Sequence, residues 1–374
     1  MQSSTYATVM TFLLVAAGAW GTERSSGLYL GTGPEPAAFR PDSTGERAVV
    51  YRTWWAYFNS KEQQLARFAG VASSLWVADE QAKWPMYDLA GSYVPGGSAP
   101  AIVGVRQLAP GSYEIQVRFG TMRASWGVVK VGDRWLLQNV LDRRVAAWRR
   151  ETVGPIRYHI EPTLTFNRAR AEAAVAFVDS LAPAFATPPV THLDYYVTPT
   201  VDAALAALGV EYDRKFGPGG AFAKPVNYQI FSAIPSLGEN YRHELVHVVL
   251  RPLLEGRSIT IIASEGIATW LGGTSGMTLS GAVRALDRYL TEHPRASLDS
   301  AITPGAMPQT ESYTAGAVLC GLLYRRGGVA ALRRFLQAGP GQAEVRAVLI
   351  RELGEPWERI RAEWRARVAK PVIP

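Results

Sequence analysis

Residues 241–250 read Tyr-Arg-His-Glu-Leu-Val-His-Val-Val-Leu and contain His243-Glu244-Leu245-Val246-His247, an H-E-x-x-H pattern. On a helix, positions i and i+4 lie on one face, one turn apart. Both imidazoles can then reach a single metal ion. Glu244 projects beside them, where it can address a water rather than the metal. Val248, Val249 and Leu250 make the segment apolar, so the helix is expected to be buried. Two buried histidines with a glutamate between them need polar partners, and a Zn²⁺ ion supplies them. A surface helix with two unrelated histidines is the competing explanation, and the apolar run argues against it.

The rest of the composition sets bounds on this site. The 374 residues leave room for two domains, and 48% apolar with 19% charged residues describes an ordinary globular chain. The net charge of +7, from 39 basic and 32 acidic residues, is mild for this length. No basic block with interleaved aromatics occurs, so nucleic acid is not an expected partner. Arg143, Arg144, Arg149 and Arg150 are expected on solvated helix faces. Cys320 is the only cysteine, so no intrachain disulfide can form, and its apolar surroundings predict a buried, inert thiol.

At the N-terminus, Val9 to Trp20 is a short apolar run, within which Ala17-Gly18-Ala19 has the small residues of a signal-peptidase site. The run is too short to span a bilayer comfortably. Residues 1–19 are therefore expected to be a cleaved export signal, placing the mature chain in a periplasmic or secreted setting, although no Lys or Arg precedes the run. No stable membrane span is expected. Residues 20–44, rich in Gly, Pro, Ser and Thr, read as a lead-in.

Residues 45–150 are expected to form one domain. Val49, Trp54, Phe58, Leu65 and Phe68 recur at helical spacing over 45–83. Strand signals follow at 87–94, 101–108, 113–119, 125–131 and 134–141, separated by turns such as Pro95-Gly96-Gly97 and Gly132-Asp133. Helices followed by an antiparallel meander indicate an α+β fold. This order, with the Gly-Asp-Arg-Trp-Leu-Leu hairpin, resembles the NTF2-like (SnoaL-like) fold, which implies helices packed in the hollow of a bent sheet. Such domains serve many roles, so the resemblance implies no activity. The tryptophans Trp54, Trp55, Trp76, Trp84, Trp126 and Trp135 are expected to pack in its core.

A connector over 143–165 leads to a second domain, 151–374. Helices are expected at 167–181 and 201–208, strands at 191–198 and 227–233, and a plain glycine-rich loop at 216–222. The H-E-x-x-H helix is expected to start near Glu239 or Asn240 and to end near Arg251, before Pro252. Ile259 to Ile262 looks strand-like, and Ser264 is a candidate N-cap for a helix stopped by Gly272-Gly273. The remainder reads as helices at 282–290, 314–326, 329–336, 344–353 and 356–368.

A catalytic zinc takes three protein ligands and keeps one position for water. Glu265 is the best third partner for His243 and His247. Alone, it would be an acid favoured by a helix N-terminus. Beside the upstream motif, the ligand role is the better reading. H-E-x-x-H followed by Glu265-Gly266-Ile267-Ala268 resembles the gluzincin metallopeptidases, the thermolysin and M1-aminopeptidase-like group. Tyr313-Thr314-Ala315-Gly316 resembles the Tyr-x-x-Gly helix of M1-like members. The resemblance covers about residues 190–370. It implies a mostly helical peptidase domain after a small sheet, one Zn²⁺ held by His243, His247 and Glu265, Glu244 as general base, Tyr313 as oxyanion partner, and a peptide or protein substrate.

Two positions depart from that pattern. Thr269 stands where thermolysin-like members carry a carboxylate that orients a ligand histidine. The Gly-x-Met-x-Asn segment of M1 aminopeptidases is absent from the sequence. Strand 227–233 is a candidate to pair with an extended substrate. Two alternatives remain open at this stage: a non-catalytic, zinc-stabilised ligand- or partner-binding protein, and a zinc hydrolase of a non-peptide bond. His159, His192 and His293 have no metal-type spacing and are expected to be structural or exposed.

Overall fold

The computed structural model describes residues 45–60, 101–224, 228–255, 257 and 260–370. The expected signal segment, the lead-in, the strand at 87–94, Trp76 and Trp84 lie outside these residues. The fold is α+β, in two compact units: one from 45–60, 101–148 and 200–217, the other from 149–199 and 218–370. Among the described residues no helix is long and apolar enough to cross a membrane.

In chain order the elements are α1 (Glu46–Ser60), β1 (Ala101–Ala109), β2 (Ser112–Phe119), β3 (Met122–Val131), β4 (Arg134–Gln138), α2 (Leu141–Arg144), β5 (Arg149–Val153), β6 (Ile156–Ile160), α3 (Arg168–Ala184), β7 (Leu193–Val197), α4 (Val201–Ala207) and β8 (Val210–Tyr212). They continue with β9 (Gly220–Lys224), β10 (Gln229–Ala233), α5 (Arg242–Leu250), α6 (Ile261–Gly272), α7 (Leu279–Glu292), α8 (Leu298–Ile302), α9 (Gln309–Leu336), α10 (Gln342–Leu353) and α11 (Trp357–Ala369).

The first unit is an antiparallel meander β1-β2-β3-β4 with α1 against it. Alternation decides its core. Ile115, Val117 and Phe119 on β2 and Met122, Ala124, Trp126 and Val128 on β3 are all buried, as a period of two on one face requires. Trp54 of α1 packs on Trp126 and Phe119, with ring centroids 5.5 and 6.4 Å away. β8 pairs with β3 at Met122–Ala124, whereas β4 pairs at Gly127–Val131. Both therefore use the edge of β3 that β2 leaves free. Gly209 permits this return: at φ +86°, a Cβ there would lie 2.8 Å from the Ser125 carbonyl oxygen. Arg143 and Arg144 are not merely solvated. Both pair with the buried carboxylate of Glu114 on β2.

The second unit carries a mixed sheet in the order β5-β6-β7-β10-β9. The 149–160 stretch, expected as a connector, is the antiparallel hairpin β5-β6, turning at Gly154-Pro155. β6, β7 and β10 run parallel to one another, and β9 closes the edge antiparallel to β10. The strand expected to be open to substrate is therefore interior, paired on both sides. The glycine-rich stretch expected to be a plain loop contributes the edge strand β9.

One face of this sheet presents Tyr158, Ile160, Leu193, Tyr195 and Ile230 to a helical core that includes Leu245, Val249, Ile267, Leu319 and Leu323. α3 starts at the N-cap Asn167, whose side chain accepts from the Arg170 N–H at 3.1 Å. Glu239, expected near the start of the next helix, instead accepts the Asn167 N–H at 2.7 Å. The H-E-x-x-H helix, α5, begins three residues later, at Arg242 with Tyr241 as N-cap, and passes into a 3-10 turn at Arg251–Leu253 that includes Pro252. Ile261 and Ile262 are the first residues of α6 rather than a strand. Thr260, not Ser264, is its N-cap residue. α9 joins the two expected helices across a kink at Gly328 (φ 59°).

Candidate metal centre

Three elements converge on one point of the second unit. α5 supplies His243 and His247 one turn apart. α6 supplies Glu265 and α9 supplies Tyr313, each from the start of the second turn. The crossing of α6 and α9 is fixed by two glycines. A Cβ on Gly316 would lie 2.2 Å from the Ile262 carbonyl oxygen and 2.9 Å from Gly266 Cα; one on Gly266 would lie 2.7 Å from the Gly316 carbonyl carbon. Only hydrogen fits at both positions. Glu265 and Tyr313 therefore sit on helices whose backbones touch.

The C-terminus of α6 approaches α5 by the same device. A Cβ on Gly272 would meet the His243 amide nitrogen at 2.3 Å. Gly273, in the left-handed region at φ +77°, turns its carbonyl to His243, whose Nδ1–H donates to it at 2.7 Å. This contact settles which ring nitrogen is left for other work. Nε2 of His243 faces Glu265 Oε2 at 3.0 Å. His247 Nε2 stands 3.4 Å from Glu265 Oε1, an ion-pair distance, and has no hydrogen-bond partner among the described residues. Its Nδ1 lies 3.5 Å from Ser264 Oγ. His243 and Glu265 are buried and His247 nearly so, with side-chain exposures of 1%, 8% and 12%.

This donor set fits a metal ion. His243, His247 and Glu265 each offer a ligand atom, all within 4.8 Å of one another. Ligands about 2.0 Å from a tetrahedral ion lie roughly 3.3 Å apart, close to the 3.0 and 3.4 Å separations seen here. Both outer nitrogens of the imidazoles face oxygen atoms, which fixes the rings as a metal site requires. His247 Nε2, buried and without a hydrogen bond among the described residues, is an atom that a cation would satisfy once the ring is neutral.

Electrostatics at the centre follow from burial and from close pairing. For His247, burial opposes the charged ring, but Glu265, helped by Glu244, outweighs it and raises the pKa to about 9. For Glu265, burial likewise works against charge, and the two imidazoles overcome it, bringing the pKa down to about 2. Glu244, 2% exposed, moves the other way: burial raises its carboxyl above the ordinary range, only partly offset by His243 and His247 and by the Ala223 N–H it accepts from β9. Burial, and then the charge of Glu265, pushes the Tyr313 phenol well above its ordinary value, so it stays protonated. Gln309 Nε2 donates to the Tyr313 oxygen, leaving the phenolic hydrogen free to donate elsewhere.

All the residues singled out in the sequence meet here: His243, Glu244, His247, Glu265 and Tyr313. Thr269 is fully buried in α6, and its hydroxyl has no partner among the described residues. The orienting contact expected from a carboxylate at that position comes from the Gly273 carbonyl, one helical turn further on. Sequence reasoning gave no role at the centre to Gly273, Tyr241, Ser264 or Ala223. The Gly272-Gly273 pair was legible as a helix stop but not as a close approach. The other histidines stay away from the centre. His159 and His192 lie 2.7 and 3.0 Å from the Asp194 carboxylate, and His293 stacks on Tyr289. Burial resists the Asp194 charge, but His159 and Arg157 hold this carboxyl well below its usual range.

No protein-family model matches the chain, and no curated protein matches it either.

Proposed function

We propose that this chain is a zinc-dependent metallopeptidase of gluzincin type, with an NTF2-like accessory unit ahead of the peptidase unit. The observation that carries the proposal is the convergence of His243 Nε2, His247 Nε2 and Glu265 on one small volume, with the buried Glu244 beside them but outside the ligand set. A purely structural zinc site closes with a fourth protein ligand and has no use for a neighbouring base. Among the described residues no fourth His, Cys, Asp or Glu joins the three.

His243, His247 and Glu265 would hold the ion. When bound, zinc lowers the pKa of water and polarises a carbonyl group. Glu244 takes a proton from the attacking water and returns it to the leaving amine. Its raised pKa favours both halves of that task, since a base poised nearer neutrality accepts and gives back a proton readily. Tyr313 donates its phenolic hydrogen to the oxyanion that develops on the substrate carbonyl. Gln309 fixes the direction of that hydrogen by occupying the phenol oxygen as an acceptor.

The sheet supports a peptide as the substrate. β9 is the edge strand, and its Ala223 N–H already donates to Glu244. An extended peptide added to this edge would lie alongside the base, and main-chain pairing of this kind is specific to polypeptides. That favours a peptide over a sugar or a phosphate ester as substrate.

Purified protein should contain about one zinc per chain and cleave members of a peptide library, and a chelator should abolish the cleavage. Cleavage that persists at full rate in chelator would refute the proposal. Hydrolysis confined to non-peptide esters or amides would leave the metal site standing but replace the substrate.

A further inference from the structure

Tyr241 is the residue before α5, two positions ahead of the first metal-site histidine, and is 1% exposed. Its ring stacks on the His243 imidazole, with centroids 5.6 Å apart and planes 15° from parallel. Its hydroxyl accepts the Ser275 N–H at 3.2 Å. Ser275 and Gly276 are the two central residues of a tight turn closed by Thr274 and Met277, which exchange N–H···O bonds of 3.1 and 2.8 Å. Both central residues have positive φ, +50° and +75°, as a two-residue hairpin turn of this kind needs. A serine at φ +50° is held in a sparsely populated conformation, which surrounding contacts must maintain. The bond to Tyr241 is one of them.

The turn follows directly on Gly273, whose carbonyl takes the Nδ1–H of His243. Tyr241 thus reaches His243 by two routes. Its ring covers one face of the imidazole, and its hydroxyl anchors the turn whose preceding residue sets the tautomer. The tyrosine is itself fixed from behind: its N–H donates to the Tyr195 hydroxyl at 3.1 Å, and that hydroxyl donates to the Gly238 carbonyl at 2.9 Å. Ala221 of β9, Ile234 and Leu237 pack around it.

We infer that Tyr241 is a positioning residue of the metal centre, locking the orientation and tautomer of His243 through its ring stack and through the 273–277 turn. The inference rests on the zinc reading given above. A tyrosine that only filled space would be replaceable by phenylalanine without consequence for the metal.

The test compares wild type with Tyr241→Phe and Tyr241→Leu, using Thr187→Val as a control that removes a buried hydroxyl elsewhere in the same unit, one that bonds only the Ala182 carbonyl. Zinc affinity is read by competition with a chromophoric chelator, and the visible spectrum of the cobalt-loaded protein reports ligand geometry. Losing a contact that orients a ligand histidine costs about 10- to 100-fold in metal affinity. Tyr241→Phe, which keeps the stack, should fall about 10-fold, Tyr241→Leu further, and Thr187→Val not at all, with an altered cobalt spectrum only in the Tyr241 variants. Tyr241→Phe with wild-type affinity and spectrum overturns the inference. That variant decides the matter even if Tyr241→Leu does not fold. Wild-type protein that takes up no zinc overturns the metallopeptidase reading and this inference together, whereas normal wild-type uptake with an unaffected Tyr241→Phe overturns this one alone.

Discussion

Replacing Gly316 by alanine tests how the centre is assembled. The new Cβ would lie 2.2 Å from the Ile262 carbonyl oxygen and 2.9 Å from Gly266 Cα, both backbone atoms that no rotamer change can move. Ordinary contact begins near 3.4 Å, so the two helices must part by about 1.2 Å at this point. Alanine gains about 1 kcal/mol of helix propensity over glycine, and overpacking of this severity costs roughly 3 kcal/mol or more. The expected net loss is about 2 kcal/mol, or roughly 4–8 °C in the unfolding midpoint of a unit of this size. Gly321 provides the control in the same helix. A Cβ there meets only the Trp270 Nε1 at 3.6 Å and the Arg325 guanidinium at 3.9 Å, so Gly321→Ala should stabilise by up to about 1 kcal/mol. Separation at Gly316 also shifts Glu265, which adjoins Gly266, so zinc affinity should fall about 10-fold or more in Gly316→Ala. Thermal unfolding followed by circular dichroism, with chelator competition for zinc, measures both. Gly316→Ala melting with Gly321→Ala and binding zinc like wild type would refute this view of how α6 and α9 set the site.

Zinc uptake should release close to one proton per chain at pH 7, because His247, with a pKa of about 9, is protonated in the metal-free protein and must lose that proton to bind. Calorimetric titration in buffers of unlike ionisation enthalpy measures this, and a buffer-independent heat would refute it. The same shift governs the stability of the metal-free protein. The folded pKa of His247 lies above its ordinary 6.5, so its contribution is full below about pH 6.5 and fades as pH rises through 9. Tyr313→Phe should lower kcat by about 10²- to 10³-fold and leave zinc affinity and KM nearly unchanged, as expected for a donor that acts only on developing charge. An equal loss in zinc affinity would mean that the phenol supports the ligands instead.

The centre itself was legible because its chemistry is written at short range. Helical spacing alone brings His243 and His247 together with Glu244 beside them, and Glu265 follows on the next helix. What escaped the sequence depends on pairing at a distance. Thr200–Gly217 lies within the second half of the chain yet packs with the first unit, because β8 finds the free edge of β3 nearly ninety residues upstream. The β5-β6 hairpin begins Arg-Arg-Glu-Thr, which carries no apolar alternation, and so read as a connector. Ile259–Ile262 looked like a strand because its isoleucines are β-branched, but burial of Ile262 in the helical core overrides that weak preference. β9 hid in a glycine-rich stretch, so the interior strand was mistaken for the open one. The glycines at 266, 272 and 316 were visible as letters. Which backbone each one admits could only be seen in three dimensions.

The most direct test is to compare wild type with Glu244→Gln for zinc content and peptide cleavage. Both proteins should carry about one zinc per chain, since Glu244 is outside the ligand set. Only wild type should cleave at a useful rate, with turnover in Glu244→Gln lower by about 10²- to 10⁴-fold, the usual contribution of a general base. Unchanged turnover in Glu244→Gln, or a wild-type protein that binds no zinc, would contradict the central claim.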